Sequence, residues 1–196
     1  MKRLAAIVLA AGSSRRFGAG DKLLADLDGR SVIDHVLDTV TALGLGQVVV
    51  VTRGDFAGLA RLQSDERLSV VVNERADDGM GVSLVKGVAA LGDCDGAFVI
   101  LADMPFLPPA LFLDMAGCLG GHDIVVPYNA GQPGHPVLFG RVCFADLLTL
   151  EGDRGARGLI DGGRYGVARF ATDDAAIHDD IDTLDDLRPS GNGRGG

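Results

Sequence analysis

The feature that most constrains the fold is a recurrence of short, β-branched apolar runs: Leu4–Leu9, Gln47–Val51, Leu68–Val72, Ala97–Leu101 and Ile124–Pro127. Each is nearly continuous in hydrophobicity, whereas a strand with one wet face would alternate; continuous runs require apolar cover on both faces, as in a parallel sheet. Between them lie stretches of helical spacing, such as Val32, Val36, Leu37 and Val40. Ser31-x-x-Asp34, just before that stretch, has the form of a capping box. The β-α-β-α order predicts an α/β fold, a three-layer sandwich around a mostly parallel sheet with right-handed crossovers. Beyond Tyr128 the pattern loosens into Gly-rich turns, with strands expected at Val137–Phe139 and Val167–Phe170 and short helices at Phe144–Leu150 and Ala156–Ile160. The length of 196 residues suits a single domain, residues 1–188, followed by a Gly-rich tail, 189–196, expected to be disordered.

A net charge of −9 argues against a general nucleic-acid binder, which needs a surplus of cations facing phosphates. Any polyphosphate ligand must therefore be held by local charge, and the chain has only Lys2, Lys22 and Lys86 as lysines. Arg15, Arg16 and Lys22 crowd one loop. No apolar run approaches the ~18–20 residues that span a bilayer, so no membrane partner is expected. Met1-Lys2-Arg3 and the apolar run after it imitate a short signal peptide, but that run leads straight into a chemistry-bearing loop. Cys94, Cys118 and Cys143 are odd in number and lack C-x-x-C spacing, which fits a reducing, cytoplasmic setting without a disulfide framework or zinc site.

The first chemical motif is Leu9-Ala10-Ala11-Gly12-Ser13-Ser14-Arg15-Arg16-Phe17-Gly18, running on to Asp21-Lys22-Leu23-Leu24. It leaves the first strand at the sheet's carboxyl edge, where open α/β sheets bind ligands and where small residues let backbone N–H groups approach phosphates. Its cations would offset triphosphate charge. Composition alone also allows a plain Gly/Ser turn, and with no Gly-Lys dipeptide it is not a Walker loop. In Gly79-Met80-Gly81-Val82-Ser83, between a strand and a helix, the glycines would permit close approach to a planar base and Ser83 could offer a hydroxyl at the helix N-terminus. The same residues also suit a simple turn and cap. Asp103, in Leu101-Ala102-Asp103-Met104-Pro105, ends an apolar strand and is placed either to hold Mg2+ through oxygen ligands or to start a turn before Pro105.

Two later strings carry polar groups. Gly134-His135-Pro136 precedes a strand, where His135 could hydrogen-bond an acceptor's phosphate or ring edge or simply occupy a rigid turn. Asp179-Asp180-Ile181-Asp182-Thr183-Leu184-Asp185-Asp186 contains Thr183-x-x-Asp186, which reads as a helix cap within a solvated acidic run. Gly191-x-Gly193-x-x-Gly196 formally matches a dinucleotide fingerprint but has neither a strand before it nor a helix after it.

The string Leu-Ala-Ala-Gly-x-Ser-x-Arg-Phe-Gly at 9–18, followed by Lys22, resembles the signature of the NTP-transferase family that includes molybdenum-cofactor guanylyl- and cytidylyltransferases. The likeness runs from Leu4 to about Leu187. It implies a Rossmann-like sheet of the nucleotidyltransferase type and an Mg2+ cofactor. It implies nucleotide binding by Leu9, Ala10, Ala11, Gly12, Ser14, Arg16 and Lys22, with Gly79, Gly81 and Ser83 in the base-reading segment. Arg16, Lys22 and Asp103 would act in catalysis, the metal being held by Asp103 and, through the later acidic motif, by Asp182. Leu184 stands where the family often has Pro, a mild departure because Pro at a helix start only favours an available geometry. Gly134-His135-Pro136 and Gly152-Asp153-Arg154-Gly155-Ala156-Arg157 resemble the cytidylyltransferase branch, which implies that Gly134, His135, Pro136, Arg154 and Arg157 face the acceptor.

The resemblance thus implies in-line attack of an acceptor phosphate on the α-phosphorus of a nucleoside triphosphate, with CTP favoured and a molybdopterin-type acceptor. A molybdenum hydroxylase would be the downstream partner. Guanylyl transfer is the runner-up, since related guanylyltransferases tend to show Leu-Ala-Gly-Gly where this chain has Leu-Ala-Ala-Gly. Sugar-phosphate or methylerythritol-phosphate acceptors, an NAD(P)-dependent oxidoreductase and a non-catalytic maturation chaperone for molybdenum hydroxylases stay open as alternatives.

Overall fold

The computed structural model describes residues 2–12, 17, 20–152 and 155–187. In chain order the strands are β1 (Leu4–Ala10), β2 (Asp26–Leu27), β3 (Arg30–Ser31), β4 (Gln47–Thr52), β5 (Ser69–Val72), β6 (Gly96–Leu101), β7 (Ile124–Asn129), β8 (Gln132–Pro133), β9 (Val137–Gly140) and β10 (Val167–Ala171). The α-helices are α1 (Val32–Ala42), α2 (Leu59–Gln63), α3 (Met80–Ala89), α4 (Pro109–Cys118), α5 (Phe144–Leu147) and α6 (Arg157–Asp161).

The main sheet runs β10-β7-β9-β6-β1-β4-β5, with β8 paired to β7. β1 lies parallel to β4 and β6, and β5 is parallel to β4. β9 is antiparallel to both β6 and β7, so the sheet is mixed on that side. The apolar continuity of β1 has a direct cause. Ala6, Val8 and Ala10 face one core with Ile33, Val36 and Val40 of α1 and Phe112 and Met115 of α4. Ala5, Ile7 and Leu9 face the other core with Leu84 and Val88 of α3 and Leu147 of α5. Successive side chains on a strand point to opposite faces, so a strand between two helical layers is apolar at every position.

Register fixes what leaves the sheet together. Leu9 is level with Leu101, Ala10 with Thr52 and Thr52 with Val72. The next residues outward, Ala11, Asp103, Arg53 and Asn73, therefore emerge side by side at the carboxyl edge. A smaller core of Phe17, Leu27, Val32 and Ile181 lies apart from the two main ones. It ties the first loop to the acidic segment near the chain's end.

At the start of α1, Ser31 occupies the cap position without capping a backbone amide; its hydroxyl donates to the Asp34 carboxylate at 2.6 Å. The pair is the expected one, and the bond is made between side chains. At the other end of the chain Asp186 does reach back, accepting from the backbone N–H groups of Asp182 and Thr183 and from the Thr183 hydroxyl. The element it caps is a 3-10 turn, Leu184–Leu187.

Candidate active site

Asp103 follows β6, and its backbone carbonyl accepts a hydrogen bond of 2.9 Å from the Ile181 N–H. This contact lays the acidic segment against the end of β6. Ile181 is buried, and its neighbours Asp180 and Asp182 both reach Asp103. Carboxylate oxygens of Asp103, Asp180 and Asp182 converge within 4.8 Å of one another. Three like charges so close need a cation. Lys22 supplies one: its Nζ stands 2.6 Å from Asp103 Oδ2 and 2.9 Å from Asp182 Oδ1, with only 12% of the side chain exposed. Burial pulls the Lys22 ammonium down, but hydrogen bonds to Asp103 and Asp182 outweigh it and leave it raised. Burial, then the charges of Asp103 and Asp182, pushes the Asp180 carboxyl up. Asp103 Oδ1 is buried without a hydrogen-bond partner among the described residues. An all-oxygen donor set with an orphaned carboxylate oxygen fits a hard divalent cation such as Mg2+.

Lys22 opens a 3-10 turn, Lys22–Leu24, whose cap is Asp21: the Asp21 carboxylate accepts from the Leu23 N–H at 3.1 Å. Arg53, just beyond β4, donates to the Gly12 carbonyl at 2.9 Å and to Asp21 at 2.8 Å. One guanidinium thus fastens both ends of the first loop, a role suited to its planar fork of donors. Gly12 itself is exposed, with open space where a Cβ would stand, while Leu9, Ala10 and Ala11 are buried. Ser14 and Arg16 lie outside the described residues, as does Arg154.

The glycines before α3 have separate reasons. Gly79 takes φ 113° and ψ 169°, a conformation essentially restricted to glycine. A Cβ on Gly81 would stand 2.7 Å from the Gly152 carbonyl oxygen, so its absence lets the 151–152 turn pack on the start of the helix. Ser83, expected at the helix N-terminus, lies one turn inside α3 and is buried, accepting a 3.0 Å bond from Asn73 Nδ2. The cap position belongs to Gly79, and no side chain caps the helix.

Gly134 and His135 line a cavity of about 240 Å³ together with Leu9, Met80, Tyr128 and Arg157. Pro136 is buried and does not line it. Gly134 is held against β7 by a bond from its N–H to the Pro127 carbonyl at 2.9 Å, and a Cβ there would stand 2.4 Å from the Ile177 carbonyl oxygen. His135 donates its backbone N–H to that same carbonyl at 3.0 Å. Burial pulls its imidazole below the ordinary 6.5, against upward pulls from a Val99 backbone hydrogen bond and the Asp103 charge. Arg157 is 80% exposed at the side chain and pairs with Asp161 one helical turn on.

Sequence reasoning missed Asp180 and Arg53. The signal for Asp180 was its alternation with Asp182 around an apolar Ile181; that for Arg53 was a cation directly after the β4 run. Among the described residues, no helix is long and apolar enough to cross a membrane.

A glycine-bearing loop, a lysine and a carboxylate cluster gather at the carboxyl edge of the sheet, and the family match places this arrangement in a nucleotidyltransferase. The chain belongs to the MobA-like NTP transferase domain family, whose model matches residues 6–169. Purine catabolism protein PucB of Bacillus subtilis is 33% identical over 190 residues, 92% of each chain. A molybdenum cofactor guanylyltransferase of Desulfosudis oleivorans is 34% identical over 129 residues, 65% of this chain and 60% of that one. Among solved structures, Rv0371c of Mycobacterium tuberculosis superposes with a TM-score of 0.83 at 30% identity, covering 94% of this chain and 95% of its own. Its complex with manganese gives 0.80 at 29% identity, with the same coverage.

Proposed function

We propose that this nucleotidyltransferase transfers CMP from CTP to the phosphate of a molybdopterin-type acceptor and releases pyrophosphate. An acceptor oxygen forms a bond to the α-phosphorus as the bond from that phosphorus to the bridging oxygen of the β-phosphate breaks; pyrophosphate takes the electron pair. An acceptor phosphate is already an anion, so positioning and charge stabilisation suffice and no separate general base is needed. The observation that carries the reading is the convergence of Lys22, Asp103, Asp180 and Asp182 beside the first loop. Asp103 and Asp182, joined by Asp180, would hold Mg2+, which supplies charge neutralisation to the phosphates when bound. Arg16 and Lys22 would stabilise the departing pyrophosphate. A structural neighbour, Rv0371c of Mycobacterium tuberculosis, has been solved in complex with manganese, which supports a divalent cation here.

For the donor, Leu9, Ala10, Ala11, Gly12 and Ser14 would line the nucleotide, with Gly79, Gly81 and Ser83 shaping the segment that reads the base. For the acceptor, the cavity beside His135 supports a ring-bearing ligand, because its walls are mainly apolar and a few polar groups fix orientation. Gly134 and Pro136 would shape that end, and Arg154 and Arg157 would meet the phosphate. Guanylyl transfer is the second reading, favoured by the relative named molybdenum cofactor guanylyltransferase. Pyrophosphate release measured with CTP, GTP, ATP and UTP, each with a molybdopterin acceptor and Mg2+, tests both. CTP should exceed GTP in kcat/KM by about tenfold, the effect of roughly 1.4 kcal/mol. GTP equal to or better than CTP would overturn the cytidylyl reading.

A further inference from the structure

We propose that Lys22 is an internal counter-cation that keeps the divalent-metal site closed until the triphosphate draws it away. The inference rests on reading Asp103, Asp180 and Asp182 as the metal site. Two carboxylate oxygens of that site are already taken: Asp103 Oδ2 and Asp182 Oδ1 both accept from the Lys22 ammonium. These are not loose surface pairs, since the Lys22 side chain is 12% exposed and that of Asp103 17%. A divalent ion on the same oxygens would sit within a few ångströms of the ammonium, and the two cations would repel strongly in so sheltered a place. A metal that bridges Asp103 and Asp182 through these oxygens, rather than resting on Asp103 Oδ1 and Asp180 alone, therefore requires the ammonium to leave.

The backbone at Lys22 is held by the Asp21 cap, by Arg53 and by the buried Leu23, so departure is a swing of the methylene stem about a fixed Cα. A triphosphate in the adjoining loop would offer the ammonium new anionic oxygens, while a metal ion arriving with it would take over neutralising the carboxylates. Nucleotide and metal then bind in linked fashion, and the protein without nucleotide holds metal weakly. Lys22 would serve the ligand-free protein as well as the reaction, by neutralising carboxylates that would otherwise repel one another.

The test measures free Mn2+ by electron paramagnetic resonance during titration of nucleotide-free protein. Wild type, Lys22→Met, Lys22→Arg and the double variant Lys22→Met/Asp103→Asn are compared, with circular dichroism as the folding check and Lys22→Gln replacing Lys22→Met if that variant does not fold. Lys22→Met should bind Mn2+ about tenfold or more tightly than wild type, a mid-range coupling. Lys22→Arg, which keeps the charge, should stay weak, and the double variant should lose the gain. Equal or weaker binding by Lys22→Met than by wild type, with the double variant weaker still, overturns the counter-cation role and leaves the metal site standing. A double variant that binds as tightly as Lys22→Met, or no Mn2+ binding by any of the proteins, overturns the metal site and the inference with it.

Discussion

Asp103→Asn separates the fold from the chemistry, because the structure predicts a small effect on one and a large effect on the other. The change preserves side-chain volume and removes one charge. Losing the 2.6 Å bond from Lys22 costs about 1.5–3 kcal/mol, the range for hydrogen bonds to charged groups, while Lys22 keeps Asp182 at 2.9 Å. Against this, the variant relieves repulsion within a cluster whose oxygens lie within 4.8 Å of one another. Asp103 faces two such partners, Asp180 and Asp182, each repelling it by roughly 3 kcal/mol at an effective dielectric near 20, and the charge attraction to Lys22 lost with it is about 6 kcal/mol on the same basis. The terms oppose and are of like size, so the net change should fall within about 2 kcal/mol of zero, a Tm shift of at most ~8 °C for a chain of this length. Transfer should suffer far more. On the proposed role of Asp103 as a metal ligand, its loss forfeits several kcal/mol of charge stabilisation, and about 4 kcal/mol is roughly a thousandfold in rate. Thermal denaturation and pyrophosphate release with Mg2+ read the two effects. Wild-type turnover in a folded Asp103→Asn protein would refute the assignment; a Tm loss well beyond that range would mean the carboxylate serves the fold.

Gly81→Ala should lower Tm by about 2–4 °C per kcal/mol lost, because the 2.7 Å approach to the Gly152 carbonyl overrides the gain in helix propensity; an unchanged or higher Tm in calorimetry would show that the 151–152 turn yields freely. His135 has a folded pKa below its unfolded 6.5, so its contribution is fully present above 6.5 and is lost as pH falls below it toward the lowered value. Asp180, whose carboxyl is raised, acts in the opposite sense on acidification, and comparison with His135→Gln isolates the histidine. Urea midpoints between about pH 7.5 and 5.5 should fall less in His135→Gln than in wild type, and identical slopes would contradict this. Ala11→Gly should narrow the proposed CTP-over-GTP preference by admitting the larger base; an unchanged ratio of kcat/KM would remove Ala11 from base selection.

The longer strands of the main sheet and both apolar layers were legible because burial on two faces leaves a mark in local sequence that does not depend on what covers them, whereas the two-residue strands β2, β3 and β8 left none. Even the antiparallel strand and short helices beyond Tyr128 announced themselves by apolar runs between glycines. α2 and α4 were not legible: α2 is a helix of five residues, and an apolar segment entered through Pro108-Pro109 carries little periodic signal. At the site, local sequence supplied chemistry: a lysine in a small-residue loop, a carboxylate at a strand end and a later acidic run. Which of those acids meet was a long-range matter. Lys22 and Asp182 are 160 residues apart, and only the register of β1, β4 and β6 with the Ile181 bond to Asp103 brings them together. The glycines show the same division. Positive φ at Gly79 is a local demand that a sequence can express, whereas the need for Gly81 and Gly134 comes from carbonyls of distant segments. Sequence determined the elements and the inventory of reactive groups, while tertiary structure decided which groups share a volume, because steric exclusion and charge pairing act through space.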